Sequence, residues 1–506
     1  MNMKRLIFTA MLLCCSVAFA DDWPMWGGDP SRNMTSDATN IPASFGAGEY
    51  VMGTDDIDPA TTSNVKYVVK LGSQTFGNPV VADGRILLGT NNDMPTGDKY
   101  KGDRSLLICL DEETGELIWQ YNGPKLGAGK VGDWEYLGIC SSPAVDVEAR
   151  RVYFISNLCE VVCLDLDGLA NGNDGMTDEA DFFGVELDDS DADIIWRFDM
   201  TNELGVFPHN ITSSSPLVVG DRVYAATSNG VDWSHVNVPN PRAPALICLD
   251  KNSGDLLGEE ASGISSRLMH SNWSSPAYGK VGGREMIIFG AGDGYVYAFN
   301  PEPVQDEDGF GILEEYWRYD CNPPDYRFDS EGGERRYATR PGPSECIGTA
   351  VFHNGKVYAV IGQDPEHGEG VGAINCIDAT GDGDITETGR VWRNTEIERS
   401  ISTPSIYNGL CFVADYSGRV HCYDALSGEH LWTHDTLGHI WGSTLAVDGK
   451  VFIGNEDGYL TVLAASREKN VLHEIEMGNA VYSSALVANN VLYIATQSHL
   501  YAVEAE

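Results

Sequence analysis

The residues able to do chemistry lie in short segments far apart in the chain. Aromatic and hydrogen-bonding side chains gather in "GDWEYLGIC" (132–140), "GVFPHNITSSS" (205–215), "RLMHSNWSS" (267–275), "ERSISTP" (398–404) and "GHIWGST" (438–444). Together these supply Trp134, His209, Asn210, His270, Trp273, Arg399, His439 and Trp441. Indole walls beside imidazole, amide and guanidinium groups suit a flat or polar ligand, provided that one surface collects them. A second chemistry is cation binding. "DATGDGDITETG" (378–389) begins like a calcium loop, with Asp378, Thr380 and Asp382 at alternating positions and Gly383 at the turn. Its twelfth position is Gly389 where a bidentate Glu belongs, so the register fails there. "DLDGLANGNDGMTDEAD" (165–181) is richer in oxygen ligands but has no regular register. "GQDPEHGEGVG" (362–372) carries His367 and Glu369, with no second ligand spaced to join them, and reads as a long hairpin. No Gly-x-Ser-x-Gly elbow, His-Glu-x-x-His pair or phosphate loop occurs.

Whether those segments meet depends on the elements between them, and these repeat. A small hydroxyl or glycine residue, a short apolar run, a turn and a β-rich run recur eight times. "GNPVVADGRILLG" (from 77) is the first copy and "SSALVANNVLYIAT" (from 483) the last. A second phrase follows most of them, such as "CLDEETGELIW" (109–119) and "CYDALSGEHLW" (422–432). The last units recur at about 40 residues, the period of four short strands and hence of a propeller blade. The Gly of the second phrase takes the positive φ of a tight turn. The aromatic after it, Trp119, Trp196, Trp317, Trp392 or Trp432, falls on the outer strand and wedges against the next blade. The eighth unit ends after three strands, and "VKYVVKL" (65–71) has the alternation of the missing one, with Tyr67 in the Trp position. The expectation is an all-β, eight-bladed ring over 64–506, closed by an N-terminal strand, with 21–63 packed on it as an extension.

The first 20 residues join Lys4 and Arg5 to an apolar run and an Ala18-Phe19-Ala20 ending, the pattern of a signal peptide cleaved near Ala20. A periplasmic or secreted protein follows as the expectation, with no spanning segment. Loss of Lys4 and Arg5 takes the formal charge from −42 to −44, a field that repels nucleic acid and anionic lipid.

Cys109, Cys163, Cys248, Cys376 and Cys422 each precede the x-Asp of the second phrase and read as small buried hydrophobes. Because strands in a blade alternate in direction, Cys140 and Cys159 share one face of the ring, and so do Cys321 and Cys346. Two disulfides are expected there, since export permits them.

The Asp-x-x-Thr-Gly-x-x-x-Trp phrase resembles the pyrroloquinoline quinone (PQQ)-like propeller repeat of quinoprotein alcohol dehydrogenases and of the propeller lipoprotein BamB in outer-membrane assembly. "DWPMWGGDPSRNM" (22–34) likewise resembles the opening of secreted bacterial proteins with these repeats. The likeness covers about residues 22–505. It implies a propeller fold and two unlike functions: a non-catalytic binding or scaffold module of the envelope, or a PQQ- and calcium-dependent oxidoreductase. Partners implied are an envelope protein or a small ligand at the loop-rich face. Dehydrogenases of this kind hold PQQ under a disulfide of adjacent cysteines, and beyond Cys14-Cys15 the chain has no such pair. The family's metal-binding Glu and Asn and its Asp base find no matching motif either. The mouth aromatics leave a third reading, a carbohydrate-binding accessory protein.

Overall fold

The computed structural model describes residues 22–93, 99–126 and 134–504; the leader read at 1–20 lies outside them. Eight small sheets succeed one another along the chain. Blade 1 is built from Val80–Ala82, Arg85–Asn91, Ser105–Asp111 and Leu117–Gly123. The same order of inner to outer strands recurs to blade 7, made of Leu445–Val447, Lys450–Gly454, Tyr459–Ala464 and Val471–Glu476. Blade 8 supplies only Leu486–Ala488, Val491–Ala495 and His499–Val503 from the C-terminus. Its fourth strand is Val65–Lys70, paired antiparallel with Tyr67 opposite Ala502. The ring is thus the eight-bladed propeller, closed by an N-terminal strand, that the repeats imply.

The second repeat phrase works by local hydrogen bonding and by contact between blades. Asp111 accepts from the Thr114 backbone N–H at 2.8 Å and its hydroxyl at 2.9 Å, closing the turn between the last two strands. Asp424 does the same for Ser427, at 3.0 Å to each group. The following glycine has two duties. Gly428 sits at φ 73°, and a Cβ on it would lie 2.5 Å from the Trp392 ring of the preceding blade. Each indole N–H then donates to a carbonyl just beyond the third strand of the next blade. Trp119 reaches Leu166 at 2.9 Å, Trp196 reaches Lys251 at 3.1 Å and Trp317 reaches Ala379 at 3.2 Å. Trp392 reaches Ala425 and Trp432 reaches Ser466, both at 3.0 Å. At the closure Tyr67 uses its hydroxyl on Glu112, 2.8 Å away. Blade 3 has Gly258 in the Trp position, and there the Tyr224 hydroxyl takes over, donating to Pro301 at 2.7 Å. The five repeat cysteines are buried, and Cys109, Cys163, Cys376 and Cys422 stand directly opposite Trp119, Trp196, Trp392 and Trp432 on the paired strand.

The inner strands of a propeller leave backbone groups unpaired toward the channel, and the N-terminal extension satisfies many of them. Trp23 exchanges both backbone bonds with Val81 of blade 1, and Pro24 accepts from Val145 of blade 2. Pro30 and Ser31 accept from Tyr278 and Phe352 of blades 4 and 5. Asn33 bonds Ile406 of blade 6 in both directions, and Met34 accepts from Ala446 of blade 7. At the centre is Arg32, fully buried, whose guanidinium donates to the carbonyls of Pro276 at 2.8 Å, Trp26 at 2.7 Å and Pro216 at 2.9 Å. Burial lowers its pKa to about 9, which leaves it charged at neutral pH. Arg32→Ala strands three buried carbonyls and opens a cavity. The expected loss is about 3 kcal/mol or more, read as a lower urea-unfolding midpoint; an unchanged midpoint would refute this role.

Candidate functional site

The loops ahead of the first strands converge where the chain repeat places them, around one cavity of about 210 Å³. Trp134, Trp273 and Trp441 wall it, with Asn210, Phe76 and Tyr482 between them. Phe76 stacks on Tyr482 with ring centroids 4.7 Å apart, and Trp441 meets Tyr482 edge-on at 5.9 Å. Trp26 of the N-terminal extension also lines the cavity, its indole N–H donating to Thr349 at 3.0 Å.

Beside Trp273 lies a cluster of four imidazoles from three adjacent blades. His209 and His270 come from the loops before the first strands of blades 3 and 4. His235 and His367 come from the hairpins after the second strands of blades 3 and 5. The ring of His209 is 4.4 Å from that of His270, and His235 stacks on His367 at 4.4 Å. His235 Nδ1 and His270 Nε2 are 3.0 Å apart. His209 Nδ1 faces the Val231 carbonyl at 2.7 Å, which makes it the protonated nitrogen; Nε2, buried, has no partner. His270 Nδ1 looks the other way, to the Tyr337 hydroxyl at 3.4 Å and Asp364 Oδ2 at 3.5 Å. Tyr337 in turn donates to Glu345 at 2.8 Å. Burial, with the neighbouring imidazoles, takes His209 down to about 4 and His270 to about 2. Burial also pushes Glu345 well above the carboxylate range. The cluster thus brings four imidazoles together, and one buried ring nitrogen in it, His209 Nε2, has no partner.

The other residues read from the sequence as mouth groups are supports. Arg399 donates to the carbonyls of Asp364, Pro365 and Gly368 at 3.2, 3.3 and 2.7 Å, and so fixes the loop that carries His367. Its guanidinium also lies over Tyr416, 4.9 Å from the ring centroid. His439 stacks on Tyr416 at 4.4 Å and bonds its carbonyl at 2.9 Å. The "GQDPEHGEGVG" segment is a hairpin loop as read, yet His367 does have neighbours to act with. Nothing in its spacing shows this, because His235 and His270 lie 132 and 97 residues earlier in the chain.

Two expectations need correction. Asp378, Thr380 and Asp382 do not form a cation loop. Asp378 accepts from the Thr380 N–H and hydroxyl at 2.9 and 2.6 Å as the repeat turn requires, and Asp382 pairs with Arg284 of the neighbouring blade. Nor are Cys140 and Cys159 joined. Cys159 is held at φ 62° in its turn, and its thiol points into the next blade, 3.4 Å from the Thr227 carbonyl. Cys321 and Cys346 are thiols in the structure, but they are buried in one cluster, near enough that Cys321 helps to push the Cys346 thiol up. Non-reducing peptide mapping of protein exported to an oxidising compartment should recover a Cys321–Cys346 disulfide and leave Cys159 a thiol. Recovery of Cys321 and Cys346 as thiols would rule the bridge out.

PQQ with a divalent cation needs several carboxylate or amide oxygens and a carboxylate base beside the ring. Among the described residues lining the cavity the one carboxylate is Asp364, which is turned to His270, and the amides are Asn210 and Asn78, the latter already accepting from the Ser484 N–H at 2.7 Å. The residues present do not fit the quinone and cation together.

Comparison with known proteins agrees with the repeat. Residues 372–506 match a family model described as outer membrane protein assembly factor BamB. The curated BamB of Shewanella oneidensis is 30% identical over 143 residues, 26% of this chain and 36% of that protein. The chain therefore spans about a third of the length of this relative. Among solved structures, BamB from Moraxella catarrhalis superposes with a TM-score of 0.55 at 13% identity, covering 87% of this chain and 99% of that one. A europium-containing methanol dehydrogenase gives 0.59 at 12% identity, covering 96% and 98%. The quinohemoprotein alcohol dehydrogenase ADHIIG of Pseudomonas putida HK5 gives 0.61 at 14%, covering 96% and 80%. At such identities the structural likenesses establish the fold alone.

Proposed function

We propose that this protein is an exported, non-catalytic binding module of the cell envelope. In this reading the aromatic cavity at the mouth takes a ligand with a flat apolar face. The observation that supports it is the composition of the cavity: three indoles, Phe76 and Tyr482 form the walls, Trp26 closes one side, and among the described lining residues there is a single carboxylate, Asp364. The sequence match to an outer membrane protein assembly factor favours an envelope setting. The lack of any helix long and apolar enough to span a membrane, among the described residues, is compatible with it.

The rival reading, a PQQ- and calcium-dependent alcohol dehydrogenase, draws on the fold likeness to two such enzymes. Calorimetric titration of PQQ into the purified chain with calcium present, together with dye reduction on an alcohol panel, separates the two. The binding-module reading predicts no saturable PQQ binding and no turnover. One equivalent bound with turnover would replace it by the dehydrogenase.

A further inference from the structure

We infer that His209, His235 and His270 form a binding site for a divalent transition-metal ion of the zinc or copper class. The inference stands apart from what the aromatic cavity holds. The ligating nitrogens of the three residues lie within 4.8 Å of one another. A tetrahedral ion with bonds of about 2.1 Å sets its ligand nitrogens about 3.4 Å apart, and the His235–His270 pair already stands at 3.0 Å.

What marks this as a site, beyond three imidazoles packed together, is the treatment of each ring's other nitrogen. His209 is fixed as the Nδ1–H tautomer by the Val231 carbonyl, so its buried Nε2 carries a lone pair and has nothing to accept from. A buried acceptor without a donor is a standing cost that a metal ion would remove. His270 presents Nε2 to the cluster and Nδ1 to Asp364 and to the Tyr337–Glu345 pair. That is the arrangement by which a carboxylate orients a metal-bound imidazole and raises its basicity. His367, stacked on His235, either fills the fourth position or covers it.

The test uses the whole exported protein, stripped with a chelator and titrated with zinc in competition with a chromophoric chelator. One tight equivalent is expected, weakened about 100-fold or more in His209→Ala and His270→Ala and about 10- to 100-fold in Tyr337→Phe. His473→Ala, at an exposed histidine of blade 7, should bind as the parent does. His235 is half-buried on a loop, so His235→Gln separates a lost ligand from a lost fold, provided its circular dichroism matches the parent. Millimolar calcium should not displace the zinc. Failure to bind one equivalent, unchanged affinity in both His209→Ala and a folded His235→Gln, or displacement by calcium would each overturn the site.

A different observation carries a second site, for an oxygen-preferring cation, which we propose in the acidic insertion of blade 2. Carboxylate oxygens of Asp165, Asp174 and Asp193 lie within 4.8 Å of one another. Asp193 is fully buried, its Oδ1 has no partner, and Glu179 adds another buried carboxylate nearby. One cation, Arg151, reaches the group, through Asp165 at 2.7 Å. Carboxylates brought together this closely fit calcium, which takes six to eight oxygens at about 2.3–2.6 Å. Calorimetric titration with calcium should show one equivalent bound in the parent and at least a 10-fold loss in Asp193→Asn. The thermal midpoint should rise with calcium in the parent alone. No calcium binding, or equal binding by a folded Asp193→Asn, would dismiss it.

Discussion

Most blades lean on the next through an aromatic donor and a backbone carbonyl. An indole N–H from an outer strand reaches the turn beyond the neighbour's third strand, and the ring rests on a glycine that has no Cβ to meet it. Such a contact joins two demands in one geometry. The ring buries a large apolar area, and its polar edge satisfies a carbonyl that the turn would otherwise leave buried and unpaired. In blades 3 and 8 a tyrosine donates where the indole is absent: Tyr224 serves blade 3 and Tyr67 serves the closure. The spacing of blades around the ring, and hence the position of every loop at the mouth, follows from this repeated distance.

Closure adds a second constraint. The strand that completes blade 8 comes from the N-terminal side of the chain, and the segment just before it crosses the channel, giving hydrogen bonds to successive inner strands. The channel is therefore occupied by the protein's own backbone around Arg32, and Trp26 from the same segment becomes part of the cavity lining. Fold stability and binding surface are coupled through these residues. A scaffold built in this way holds its mouth loops on a rigid base, which is what preorganised ligand groups require.

The ring was legible in the sequence because its determinants are local and periodic: an Asp, a Gly and a Trp at fixed offsets, repeated with hairpin turns between. Even the closing strand could be read, since the eighth unit visibly lacks an outer strand and 65–71 has the right alternation. The imidazole cluster was half legible. His209 and His270 stand in loops that the repeat places at the mouth, whereas His235 and His367 sit in long second hairpins whose direction no period fixes. The calcium-like phrase at 378–389 already broke register at Gly389, and its first oxygens serve the repeat's own Asp-turn. Its richer neighbour at 165–181 draws in Asp193 from beyond the segment, across a fold-back that spacing does not reveal. The Cys140–Cys159 pairing failed for a similar reason: sharing a face does not fix side-chain direction, and a positive φ at Cys159 turns its thiol into the next blade.

At the mouth of a stable ring stands a prepared site made of imidazoles from three adjacent blades. X-ray absorption at the zinc edge of the zinc-loaded protein tests that most directly, because it reports the ligand atoms and not merely affinity. The expected spectrum is a shell dominated by imidazole nitrogens at about 2.0 Å, with the outer-ring scattering of three histidines. A shell of oxygens alone, or of one histidine with water, would place the ion elsewhere on this acidic surface and leave the cluster as packing.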